Sequence, residues 1–208
     1  MTAFQRTLFG AGPRVPVPPL GPELRRTVLA AGAWVDHRPA WIDAADDLFE
    51  RLLTTIPWQA ERRTMFDRIV DVPRLLAFYD SGAPLPDPLL DTVRAHLARR
   101  YGDEEGGPVA TAGACLYRGG WDSVAWHGDR IGRGGVHDTV VAILSLGEPR
   151  RFLLRPRGGG PALRYDLGHG DLLVMGGSCQ RTWEHAVPKT RHPVGPRISI
   201  QYRQPGVR

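Results

Sequence analysis

The chain has 208 residues, 42% hydrophobic and 24% charged, with a formal net charge of +5 at pH 7. That length supports one domain with a sizeable core. Two cysteines, Cys115 and Cys179, are too few for a disulfide framework, and no apolar leader or run of about 18 apolar residues occurs, so a soluble, cytoplasmic protein is expected. The positive balance fits an anionic partner, nucleic acid foremost. All 27 basic residues except Lys189 are Arg, which suits bidentate phosphate contacts, although a GC-rich genome would equally favour Arg codons.

In chain order, residues 1–22 are rich in Gly and Pro and read as a loosely structured lead-in lying across the surface. Ala33 to His37 resembles a short strand. A helix follows, with Asp43 or Asp46 available to cap it, Leu48, Phe49, Leu52, Leu53 and Ile56 on one apolar face, and Pro57 ending it. Arg74 to Tyr79 is another extended piece. A second helix is expected from Asp87 to Arg100, with Leu89, Leu90, Val93 and Leu97 turned inward. From residue 109 the texture changes to short strand-like runs: Val109 to Tyr117, Thr139 to Leu146, Arg151 to Arg155, Leu163 to Leu167, Leu172 to Met175, Trp183 to Val187 and Arg197 to Arg203. Gly-rich turns separate several of them, which indicates a β-sandwich or jelly-roll barrel. Two helices placed before such a barrel would cover one sheet, as in an α+β domain.

The chemistry centres on Trp126-His127-Gly128-Asp129. In an extended segment His127 and Asp129 point to the same side. One further His would complete the two-His-one-carboxylate triad that holds non-haem Fe(II) with open positions. His37 and His96 lie in the helical half, His137 and His169 flank turns, and His192 sits in a Pro-rich loop. His185 instead falls on one face of an expected strand with Trp183 and Val187. In the last strand, alternation places Arg197, Ser199, Gln201 and Arg203 on one face and Ile198, Ile200 and Tyr202 on the other. A polar inner face on a barrel strand is costly unless it lines a ligand site. At about 3.3 Å per residue the two Arg lie roughly 20 Å apart, so they cannot make equivalent contacts.

Taken together, Tyr117-x-x-Gly120-x-Asp122-x-x-x-x-His127-x-Asp129, then His185, then Arg197-x-Ser199-x-Gln201-x-Arg203 resembles the AlkB family of Fe(II)/2-oxoglutarate dioxygenases. Ile56-Pro57-Trp58, Val72-Pro73-Arg74 and Tyr79 resemble that family's nucleotide-facing N-terminal region. The resemblance implies an α+β fold: a double-stranded β-helix (jelly-roll) core with N-terminal helices packed on one sheet. It divides the chain into a lead-in, 1–22, and a single domain, 23–208, with a helical and nucleotide-facing cover at 23–108 and the jelly-roll core at 109–208. It implies Fe(II) on His127, Asp129 and His185. 2-Oxoglutarate would be held by Tyr117, Arg197 and Arg203, with Arg197 on its distal carboxylate and O2 as co-substrate. The reaction implied is oxidative demethylation of N-alkylated bases in single-stranded or flipped-base DNA or RNA, releasing formaldehyde, succinate and CO2. That is a DNA repair activity needing no membrane or obligate protein partner. A base inside a duplex cannot reach such a pocket.

For base stacking the candidates are Phe66 and Tyr79, with Arg74 near the backbone or base; Trp126 and Trp183 read as pocket wall or core. Arg130, Arg133, Arg150 and Arg151 are candidates for a phosphate track. Gly120 is expected to permit the turn into the metal loop. The chain departs from the family pattern at Cys115, where many members have Asn, and at Ser199 and Gln201, where Asn and Thr are usual. The acid that often follows the metal-loop Asp is also missing from Asp129-Arg130-Ile131-Gly132-Arg133. That absence keeps open the same cofactor chemistry on a free nucleotide, small molecule or protein; a further alternative is an inactive nucleic-acid-binding module, against which the intact His127, Asp129 and His185 set argues.

Overall fold

The structure is a computed structural model describing residues 17–65 and 68–207; within 63–70 only the backbone is described. Phe66 lies outside the described residues. The strands are β1 (Arg25–Val28), β2 (Ala33–Arg38), β3 (Gln59–Met65), β4 (Arg68–Tyr79), β5 (Thr111–Tyr117), β6 (Val124–His127), β7 (Val141–Gly147), β8 (Arg150–Pro156), β9 (Leu163–Leu167), β10 (Asp171–Gly177), β11 (Trp183–Val187) and β12 (Arg197–Arg203). The helices are α1 (Ala45–Thr55), α2 (Pro88–Tyr101) and the one-turn α3 (Cys179–Thr182). An eight-stranded sheet runs β1-β2-β10-β7-β12-β5-β4-β3 and faces a four-stranded sheet, β6-β11-β8-β9. Every named pairing is antiparallel, giving a jelly-roll core with helices on the outer face of the larger sheet.

Period-two alternation sorts the larger sheet into two cores. Ala142, Leu144 and Leu146 of β7 and Ile198, Ile200 and Tyr202 of β12 meet Leu48 and Leu52 of α1 and Leu90, Val93 and Leu97 of α2. Val141 and Ile143 face the other way, into the space between the sheets, with Phe152, Leu154, Leu173 and Met175. Each fully buried Leu of this kind contributes about 1.5–3 kcal/mol. Tyr202 also ties the layers together, its hydroxyl donating to the Leu90 carbonyl at 3.1 Å.

Helix α2 starts as the sequence indicates: the Asp87 side chain accepts from the Leu89 N–H at 2.9 Å and Pro88 opens the first turn. Helix α1 does not. Its N-cap is Ala44 with no side-chain cap, and Asp46 sits inside the first turn, where its carboxylate meets His169 Nε2 at 3.1 Å. The described end of the lead-in, residues 17–22, is anchored in the core. Val17 and Leu20 insert into the helix-side core, and Pro18 O accepts from Trp41 Nε1 at 2.8 Å. In the long hairpin β3–β4, strand β4 runs through Pro73 and so begins before the extended piece expected from Arg74 to Tyr79. No described helix is long and apolar enough to cross a membrane.

Candidate metal centre and its cavity

The smaller sheet brings two imidazoles together, their planes tilted by 53°. β6 pairs with β11 so that His127 lies opposite His185, and the ring centroids are 4.2 Å apart. Phe152 of β8 stacks on the far side of His185 at 5.3 Å. After β6 the chain turns through Gly128, and the Asp129 N–H donates to the Gln180 side-chain oxygen at 2.8 Å. A Cβ on Gly128 would stand 2.4 Å from the Gln180 carbonyl, so only glycine lets α3 close on this loop. His127, Asp129 and His185 then offer ligand atoms all within 4.8 Å of one another.

The protonation states suit a cation. His127 Nδ1 lies 2.8 Å from the Ala125 carbonyl, which makes it the donor and leaves Nε2 with a free lone pair. Burial, reinforced by neighbouring His127, pushes His185 down to about 3, so this imidazole is neutral. Burial alone would raise Asp129. Arg203, His185 and His127 outweigh it and hold the carboxyl well below its usual range. Arg203 Nε donates to Asp129 Oδ2 at 2.6 Å, and Oδ1 lies 3.7 Å from His127 Nε2. Two imidazoles and one carboxylate match the donor set of a mononuclear non-haem Fe(II) centre.

The cavity beside this cluster encloses about 450 Å³, including space open to solvent, and is lined on its polar side by Arg74, Tyr117, Arg197, Ser199, Gln201 and Arg203. Arg197 is 1% exposed and donates from Nε to Ser145 Oγ at 2.9 Å; among the described residues its Nη1 has no hydrogen-bond partner. A buried guanidinium nitrogen left open is expensive unless an anion completes it. Tyr117, paired with Arg197 across β5–β12, is pushed up to about 12 by burial and keeps its O–H as a donor. A small dicarboxylate fits this wall: one carboxylate on Arg197 Nη1 and Tyr117, the other toward the cluster.

Each expected site residue has a definite place. His127, Asp129, His185, Tyr117, Arg197, Arg203 and Arg74 all line one cavity. The other histidines lie elsewhere: His37 with Asp171, His137 with Glu105 and His169 with Asp46, while His96 is half-buried edge-on to Trp41 and His192 is exposed. Tyr79 is a correction. It pairs with Ala112 and packs with Leu75 and Ala77 on the helix-side core, the face of β4 opposite the cavity. Phe78, one residue earlier, occupies the cavity side, opposite Gly113. Arg150 is a second correction: it is 3% exposed and donates to the carbonyls of Gly119, Asp122 and Pro188, so it braces loops and cannot lie on a phosphate track. Gly120 is required by close approach, its would-be Cβ standing 2.4 Å from the Thr190 carbonyl. Trp183 packs in the inter-sheet core, and Trp126 turns outward under Arg155 at 4.0 Å. Gln180 carries no sequence signal, because its partner Asp129 is 51 residues away.

Comparison with known proteins agrees with this geometry. Residues 38–203 match the 2OG-Fe(II) oxygenase superfamily. The chain belongs to that superfamily. The alpha-ketoglutarate-dependent dioxygenase alkB homolog 3 of Bos taurus is 32% identical over 187 residues, covering 79% of this chain and 64% of that protein. The Homo sapiens protein of the same name is 31% identical with the same coverage. The DNA oxidative demethylase ALKBH2 of Homo sapiens is 26% identical over 183 residues, 77% of this chain and 68% of the relative. These relatives support the AlkB resemblance carried by the motifs, and the chain spans less than two thirds of the length of the homolog 3 proteins. An oxidoreductase of the 2OG-Fe(II) oxygenase family from Burkholderia pseudomallei shares the fold with a TM-score of 0.58 at 14% identity, covering 81% of this chain and 84% of that one.

Proposed function

We propose that the protein is an Fe(II)/2-oxoglutarate-dependent dioxygenase that removes N-methyl groups from bases in single-stranded or flipped-out DNA or RNA. The carrying observation is the His127–Asp129–His185 cluster at the wall of a cavity that also holds the open Nη1 of Arg197. His127, Asp129 and His185 hold the iron; Tyr117 and Arg197 hold 2-oxoglutarate. When bound, iron with 2-oxoglutarate and O2 supplies the oxidation of an N-methyl to an N-hydroxymethyl group, which leaves as formaldehyde beside succinate and CO2.

The chain's own residues set the geometry for that chemistry. Ala125 O fixes the His127 ring and Phe152 fixes that of His185. Arg203 occupies Oδ2 of Asp129 and so leaves Oδ1 for the metal. Arg203 is thus committed through Nε to the carboxylate of Asp129, and Arg197, whose Nε rests on the neutral Ser145 hydroxyl, is the better partner for the distal carboxylate. Arg74, with Nη1 on the Ser123 carbonyl at 3.1 Å, lines the same cavity from β4 and reaches the substrate side. The nucleic-acid substrate is supported by the chain's positive charge and by the AlkB homologues among its relatives.

The test is release of formaldehyde and succinate by the Fe(II)-loaded protein on single-stranded DNA carrying 3-methylcytosine. Unmethylated DNA and His127→Ala serve as controls. Methyl-dependent formaldehyde absent from the variant is expected. Succinate without formaldehyde on any methylated oligonucleotide would transfer the same cofactor chemistry to another substrate.

A further inference from the structure

Helix α3 is a single turn, yet it grips the metal loop, Asp129 to Asp138, at both ends. Gln180 reaches Asp129 where the loop begins, and Arg181 pairs with Asp138 where it finishes. The turn is itself anchored on its other side: Ser178 Oγ donates to the Ala31 carbonyl at 2.6 Å and Trp183 Nε1 to that of Ala30 at 3.3 Å. Strand β11 follows directly and carries His185. Gln180 is 1% exposed, and a buried amide needs partners at both ends. Its Oε1 accepts from the Asp129 N–H at 2.8 Å, while Nε2 points at Met175 Sδ, a weak acceptor, 3.7 Å away. Turned over, the amide would set its NH2 against the Asp129 N–H, two donors in contact. That fixes the oxygen toward Asp129. Asp129 is thus held twice, by Gln180 on its backbone and by Arg203 on Oδ2. Gly128 leaves no slack between them, since the Gln180 carbonyl would stand 2.4 Å from a Cβ there.

We infer that Gln180 is a positioning residue for the metal: by accepting from the Asp129 N–H it ties the carboxylate ligand to the turn that leads into His185, and so sets the spacing of the two. Gln180 stands outside the cavity wall and acts through Asp129 alone. As a neutral acceptor it holds the loop without adding a charge beside the cluster. The inference rests on the iron reading of His127, Asp129 and His185 and is independent of which substrate is oxidised. Partners that orient a ligand in this way typically contribute about ten- to a hundredfold to metal affinity. Arg181 makes the second tie of α3 to the same loop, but between partly exposed side chains and at the end remote in sequence from the ligand. The two ties therefore predict different outcomes when cut.

The experiment titrates Mn(II) into the metal-free protein by calorimetry and records the visible absorption of the Co(II) form, which reports coordination geometry. Gln180→Met keeps the length and bulk of the side chain and removes the acceptor. It should weaken Mn(II) by about tenfold or more and shift the Co(II) bands. Gln180→Glu, which restores an acceptor at the same reach, should recover the wild-type bands and most of the affinity. Arg181→Met should leave both readouts near those of the wild type. Far-UV circular dichroism of the metal-free proteins checks folding, and Gln180→Leu carries the same comparison where the Met variant does not fold. Unchanged affinity and bands in the acceptor-free variant overturn the inference. So does an equal loss in Gln180→Glu, which would make Gln180 a packing residue, or in Arg181→Met, which would make α3 a general tether of the loop. A wild type that binds neither Mn(II) nor Co(II) overturns the iron reading itself and this inference with it, and shows in the wild-type arm alone.

Discussion

Strands β12 and β4 both turn one face to the cavity and the other to the helix-side core, yet only one declares its faces in sequence. In β12, Arg197, Ser199, Gln201 and Arg203 alternate with Ile198, Ile200 and Tyr202, and the structure places the first set in the cavity and the second under the helices. In β4, Arg74-Leu75-Leu76-Ala77-Phe78-Tyr79 is apolar on both faces after Arg74. Nothing in that run says which residues look at the site, and a shift of one residue exchanges the faces. Tyr79 therefore reads as a base platform and turns out to pack with Leu75 and Ala77, while Phe78 holds the cavity side. Parity is legible where burial differs in polarity between faces, and illegible where both faces meet apolar surroundings.

The comparison breaks most sharply at the metal end. Substituting Ala for His127, Asp129 or His185 should abolish tight Fe(II) binding and lower turnover by on the order of a thousandfold or more, as metal titration and formaldehyde release would show. On β12, Arg197→Ala should weaken 2-oxoglutarate by on the order of a hundredfold, measured by titration, because it removes the guanidinium of a buried charge pair. A retained affinity would move the dicarboxylate to another wall. On β4 the two aromatics should part in a denaturant melt. Tyr79→Ala should cost about 2 kcal/mol through lost packing, whereas Phe78→Ala should stay within about 0.5 kcal/mol. Equal costs would mean that the parity of β4 is the reverse of that described.

A smaller effect concerns the loop that joins β5 to β6. Asp122 is buried and takes three hydrogen bonds from Arg118, through N, Nε and Nη2 at 2.8, 2.8 and 2.9 Å. Burial alone would raise its carboxyl, but Arg118 holds it below the ordinary range. A depressed carboxyl stabilises the fold above its unfolded value of about 4 and loses that contribution as pH falls through its folded value. Urea melts of the metal-free protein from pH 7 toward pH 3 should therefore show a decline that Asp122→Asn partly flattens.

The family motifs were readable because their chemistry is local or periodic. His127 and Asp129 share a side through a two-residue spacing, Asp87 caps α2 through its own backbone two residues on, and the last strand announces itself by alternation. Choosing His185 over five other histidines needed the resemblance, since an imidazole's role depends on what faces it. Arg150 shows the limit from the other direction: a surface-type residue in a basic pair becomes an interior brace, because three loop carbonyls 28 to 38 residues away converge on it.

By itself, then, the amino-acid order determined a β-sandwich or jelly-roll class, the two covering helices, His127 and Asp129 as candidate ligands and the polar face of β12. Those follow from hydrophobic period, turn chemistry and short spacings, which act within a few residues. Only the tertiary structure decided that His127 and His185 stand in register, that Gln180 holds the metal loop and that Phe78 rather than Tyr79 lies on the cavity-side face of β4. Each of these is set by which strands pair and with what register, a choice made by burial across the whole sheet and not by any local run of residues.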